Sequence, residues 1–212
     1  MKKNKNVNIK NIVKQHLVRN NKEYILFSII FLIGVFLGVL FTNNMKEEQN
    51  IEITQYLSNF VEKFKSIESI DNSKLLKDNL LQTSIFACLL WFFGTTVIGL
   101  PIVFGLIMYR GFCLGYTISV IVNVYGMTKG ILFVLISLVA QNIIFIPAII
   151  AIAVSGFKLY KSILKDRRKE NIKVEIIRHT VFSVVMLIFL TLSSILETFI
   201  STYGLKKIIK YF

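Results

Sequence analysis

Gly99-Leu100-Pro101-Ile102-Val103-Phe104-Gly105-Leu106-Ile107-Met108-Tyr109-Arg110-Gly111-Phe112-Cys113-Leu114-Gly115 is apolar enough for a bilayer, yet it holds an arginine and two places where a helix can break. Arginine at the centre of a membrane helix costs about 2.5 to 3.5 kcal/mol on insertion scales, so it must face protein, a polar cavity or the headgroups. Two placements fit. With a turn at Gly99-Leu100-Pro101, where Pro101 disfavours helix in the residue before it, Arg110 lies mid-crossing and needs a partner. The candidates are Glu197, Gln141 and Asn142, polar residues inside apolar runs. With a turn at Arg110-Gly111, the arginine sits at the cytoplasmic boundary as one more positive-inside charge.

Outward from this stretch, the composition places the whole chain in lipid. Of 212 residues, 54% are hydrophobic, eighteen are Phe and only 17% are charged, more apolar than a soluble core of this size requires. The net charge of +13 sits in blocks flanking apolar runs. That arrangement sets topology and touches anionic lipid, and it does not fit a nucleic-acid face.

Counting about twenty apolar residues per crossing predicts an all-α integral membrane protein with about five transmembrane helices and a short extracytoplasmic amphipathic helix. The first crossing is 24–42, and 82–157 supplies three passes: two within the long apolar stretch from Gln82 to Val124, and one from Gly130 to about Phe157. The last crossing is 180–200, before a tail at 201–212. Residues 1–23 carry seven Lys or Arg against Glu23 alone, so this segment is expected in the cytoplasm and the first span is read as a retained signal anchor. The loop 158–179 is equally basic and falls on the same side. The loop 43–81 is net acidic and suits the outer face, which also receives the C-terminus. Lys206, Lys207 and Lys210 in the tail run against that scheme, and the tail either lies at the interface or continues the last helix.

Ile53, Leu57, Phe60, Phe64 and Ile67 in the outer loop repeat at steps of four and three, one apolar stripe on a helix. The stripe either packs on the protein's own membrane domain or the bilayer, or it binds a partner. Within the spans, Gly34 with Gly38 and Gly111 with Gly115 have the spacing of close helix contacts. Internal packing is the default for these pairs, and a homodimer is the second reading.

Catalysis is not expected. Cys88 and Cys113 lie in apolar runs without the partners of a zinc or redox motif. His16 and His179 have no metal-ligand spacing, and no nucleophile-elbow, metalloprotease or phosphate-loop pattern occurs. Glu197 is the sole acid within a span, so paired-carboxylate chemistry lacks its second member. No cofactor and no metal are expected.

The basic start followed by Leu26 to Gly38, the block quoted at the opening, and Leu138 to Gly156 leading into a basic loop resemble the stage II sporulation protein M family of endospore-forming bacteria. Length, order of spans and loop signs agree along the chain. The resemblance implies residence in the mother-cell membrane facing the forespore, and a non-catalytic scaffold role during engulfment. Its implied partners are two peptidoglycan-degrading proteins, stage II sporulation proteins D and P. A small oligomeric transporter or channel is the alternative, motivated by Arg110 and by Gln141-Asn142 ahead of Pro147. A packed apolar interior favours the scaffold; a lined cavity reaching both faces favours transport.

Overall fold

The computed structural model describes residues 20–66, 72–165, 172–201 and 203–204. His16, Ile67, residues 166–171 of the basic loop and the tail lysines lie outside the described residues. The fold is all-α, with six α-helices among the described residues: α1 (Asn21–Asn43), α2 (Glu47–Ser66), α3 (Asn72–Thr95), α4 (Leu100–Val134), α5 (Ala140–Lys165) and α6 (Ile172–Leu196). A π-helical turn, Leu135–Val139, joins α4 to α5, and another, Glu197–Ser201, extends α6. Four segments are long and apolar enough to cross a membrane: Asn21–Asn43, Leu100–Leu138, Gln141–Leu164 and Ile172–Ile200. The protein is a multi-pass membrane protein. The helix α3 is less apolar because Lys74, Lys77, Asp78 and Asn79 occupy its first two turns. It begins ten residues before the expected Gln82, since that polar lead-in is itself good helix former.

The segment from α3 to α4 turns at 96–99, the first of the two expected places. Gly99 caps α4 and Pro101 sits in its first turn, where the missing N–H costs no helical bond. A side chain at Gly99 would collide with the Phe93 carbonyl and the Thr96 hydroxyl. Arg110 therefore lies inside a helix, two to three turns from its start.

Helix α4 is not one rod. A straight helix over the span Leu100–Leu138 would run about 58 Å, roughly twice the hydrocarbon thickness. Gly126 breaks it with φ 77° and ψ 168°, a conformation that glycine alone adopts cheaply. Beyond the break the chain folds back: a Cβ at Gly130 would lie 2.7 Å from the Cα of Val122, and the Tyr125 and Phe133 rings stack at 5.9 Å. Ile121, Phe133 and Val134 form a small core of their own at this corner.

Residue pairings give the helix directions. The pairs 31 with 111, 35 with 115, and 38 with 112 and 116 make α1 parallel to the first arm of α4. The pairs 155 with 179 and 141 with 193 make α5 and α6 antiparallel. Helix α3 runs antiparallel to α6, through 91 with 180 and 83 with 194, and parallel to α5, through 94 with 156. The core among them is apolar, with Phe27, Leu90, Val103, Ile107, Ile149, Ile152 and Leu190 fully or almost fully buried. Meanwhile Leu32 and Phe36 of α1 are each 62% exposed, as residues facing acyl chains would be.

Candidate functional site

Three features outside the apolar core bear on function: the buried polar groups, the glycine contact, and α2.

Arg110 lies with its guanidinium over the Phe145 ring, 4.3 Å from the centroid. This cation–π contact brings α4 onto α5. Glu197 lies within electrostatic reach of Arg110 and accepts a hydrogen bond from the Gln141 amide. The structure thus brings together three of the four polar residues picked from the sequence. The fourth, Asn142, turns back on its own helix, where its amide donates to the Leu138 carbonyl at 2.8 Å. That carbonyl belongs to the π-helical turn, where the regular backbone ladder is altered and a side-chain donor is useful. The two π-helical turns pack on each other, so Gln141 and Glu197 each stand beside an irregular stretch of backbone.

A run of hydroxyl and amide groups continues from there along α3 and α6. Ser193 donates to the Gln141 carbonyl at 3.3 Å, Ser194 to the Thr83 hydroxyl at 2.9 Å, and Asn79 to the Thr198 hydroxyl at 3.4 Å. Sequence reasoning missed these residues. The available signal was their spacing, since Asn79 and Thr83, like Ser194 and Thr198, stand four apart and share a helix face. A second buried polar contact, also missed, holds the other end of the bundle. His179 is 1% exposed, with Nδ1 2.9 Å from the Ser155 hydroxyl and Nε2 3.4 Å from the Trp91 carbonyl. A carbonyl only accepts, so Nε2 carries the proton and Nδ1 accepts from Ser155. Gly94 and Gly156 meet backbone to backbone beside it, which brings α3, α5 and α6 close enough for one imidazole to join them. Nearby, Glu23 pairs with Lys161 at 2.8 Å and ties α1 to α5. Among the described residues, no three His, Cys, Asp or Glu side chains come together as metal ligands.

Gly34 and Gly38 of α1 face Gly111 and Gly115 of α4. A Cβ at Gly34 would strike the Met108 carbonyl, and one at Gly38 the Phe112 carbonyl. Added at Gly111 or Gly115, it would strike the carbonyls of Phe31 and Val35. Phe41 then closes over Phe112 and Tyr116 at ring distances of 5.7 and 6.1 Å.

Helix α2 stands apart from this packing and reaches the bundle at α4, where the Tyr125 hydroxyl donates to the Leu57 carbonyl at 3.2 Å. Of the predicted stripe, Ile53 and Leu57 are half-buried and Phe60 is 40% exposed; Phe64 lies in the last turn of the helix. Val61, four residues after Leu57, is buried and was missed. Tyr56 and Ile51 are exposed at 72% and 57%.

A sequence profile described as Stage II sporulation protein M matches residues 27–202, most of the chain. The chain belongs to the stage II sporulation protein M family. Membership makes it a sporulation membrane protein, and the match runs from Phe27 within α1 through the π-helical turn after α6, with the Arg110 cluster, the His179 contact and the glycine contact inside it. No curated protein and no solved structure matches the chain.

Proposed function

We propose that this stage II sporulation protein M family member is a non-catalytic membrane scaffold for peptidoglycan-degrading proteins during forespore engulfment, with stage II sporulation proteins D and P as its partners. The observation that carries this reading is α2. It is a helix of twenty residues held to the membrane helices through a narrow contact at Tyr125, with apolar side chains still exposed along it. A helix offered in this way suits docking into a partner's groove. The glycine contact supplies the rigid base, and a close-packed interior, in which an apolar core fills the space and the buried polar groups are mostly paired with one another, favours a scaffold over a conduit.

In this reading the N-terminus is cytoplasmic and α3 completes five crossings. Helices α1, the first arm of α4, and α6 then run outward. Helices α3 and α5 run inward, α2 and Gly126 lie on the extracytoplasmic side, and the basic loop faces the cytoplasm. The test is Leu57→Ser with Phe60→Ser. The double variant is expected to insert and accumulate normally and to lose most co-purification of the two partners. Full retention at normal abundance would remove α2 as the docking element.

A further inference from the structure

Between the outer faces of α3 and α6 lies a groove of about 250 Å³. Ala87, Cys88 and Trp91 line it from one side, and Thr180, Ser183 and Leu187 from the other. The walls are almost entirely apolar. Val181 and Val184 beside it are 59% and 55% exposed, so the groove opens outward from the bundle toward the bilayer.

Two polar details distinguish this groove from an ordinary seam between helices. The Trp91 indole donates to the Thr180 hydroxyl at 3.1 Å, which pins the ring as one wall. Ser183 is 94% buried, being 6% exposed, and its hydroxyl has no hydrogen-bond partner. Burying a donor without a return is unfavourable, and the Ser183 oxygen, though covered in this structure, stands at the groove wall, where an occupant carrying an acceptor would satisfy it after a small side-chain rotation. A second copy's apolar helix face would leave this hydroxyl unanswered.

The charge beside the groove identifies the occupant. Lys173 is exposed and precedes Thr180 by seven residues, which is about 10 Å along α6 and nearly the same face. From the start of α6 inward, the order is ammonium, then hydroxyls at Thr180 and Ser183, then apolar wall. A phospholipid presents the matching order of phosphate, ester oxygens and acyl chain. Tryptophan at the level of the hydroxyls is typical of the membrane interface.

We propose that the α3–α6 groove is a specific site for one acidic phospholipid, with its phosphate on Lys173, its ester region at Thr180 and Ser183, and its chain against Ala87, Cys88 and Leu187. This goes beyond diffuse attraction of anionic lipid to basic loops, because it names one seat and one acyl chain. It is also independent of the docking role assigned to α2.

Trp91 is the only tryptophan of the chain, so its fluorescence reports on the groove alone. The full-length protein would be reconstituted in phosphatidylcholine vesicles containing phosphatidylglycerol, with bromine on the chains of one lipid or the other. Brominated phosphatidylglycerol is expected to quench Trp91 with about fivefold higher relative affinity than brominated phosphatidylcholine, the effect of one well-placed cation near the surface. Lys173→Gln, an exposed change that leaves packing alone, should bring that ratio to one. Ser183→Leu should fill the groove and reduce quenching by both lipids. Equal affinities in the unaltered protein would mean an ordinary lipid annulus and overturn the proposal. Selectivity that survives Lys173→Gln would overturn it as well, and so would weak quenching by either lipid, which means that protein covers Trp91.

Discussion

Arg110 offsets its desolvation through neighbours of different kinds: an aromatic face at Phe145, and a carboxylate at Glu197 already held by Gln141. The cation–π contact is worth about 2 kcal/mol when desolvated, and removing the cation also strips Glu197 of its compensating charge. Arg110→Leu is therefore expected to lower the melting temperature in detergent by several degrees. Adding Glu197→Gln should recover much of the loss, because the remaining amide is neutral and Gln141 can still pair with it. Arg110→Lys should fall between, keeping the charge and losing the flat guanidinium face. If Arg110→Leu melts like the unaltered protein, Arg110 is not engaged by this cluster. Most of this was legible in the sequence as three polar residues out of place in apolar runs. Their pairing was not, because Gln141 and Glu197 are fifty-six residues apart and meet through the antiparallel register of α5 and α6.

At the level of elements, the α1–α4 contact depends on the absence of side chains. Lipid is as apolar as leucine, so these two helices associate through close packing and not through exclusion from water. Gly111→Ala places a Cβ against the Phe31 carbonyl, whereas Gly105, in the same helix, has open space around it. Forcing an extra methyl into packed backbone costs about 1 to 3 kcal/mol. Gly111→Ala should accordingly lower the detergent melting temperature clearly, and Gly105→Ala should leave it unchanged or slightly raised, since alanine favours helix over glycine. Equal melting of the two variants would show that close approach is not what holds α1 on α4. The glycines explain the turn as well. Gly99 and Gly111 looked alike in the sequence as places to break, but Gly111 is needed at the contact with α1 while Gly99 is needed at the cap of α4.

For the whole molecule, the helix directions combine with the charge of the loops into a prediction about sidedness. If, as proposed, residues 1–23 are cytoplasmic and α3 crosses, the alternating helix directions predict a cytoplasmic basic loop and an extracytoplasmic C-terminus. A reporter after Phe212 should behave as extracytoplasmic, and one inserted near Arg168 as cytoplasmic. Both on one side would mean that α6 does not cross, and the reversed pair would mean that α3 and the first arm of α4 do not make separate crossings. Hydropathy alone scores Leu100–Leu138 as one segment, and the fold-back at Gly126 is what divides it.

The amino-acid sequence by itself determined the all-α membrane architecture, the amphipathic helix α2, and the family. These follow from long apolar runs, a stripe repeating every three to four residues, and the overall layout of charge, all of them local or additive along the chain. Only the tertiary structure decided which face of each span is buried, where the hairpins turn, and which polar groups meet. The physical reason is that in lipid both faces of a helix are apolar, so hydrophobicity no longer marks the inside. Burial falls instead to small residues such as Gly34 and Gly115, and to scattered hydroxyls such as Thr83 and Ser194, whose partners lie on other helices. The orphaned hydroxyl of Ser183 and the groove around it belong to that second class, because a missing partner is a property of the assembled bundle and not of any one helix.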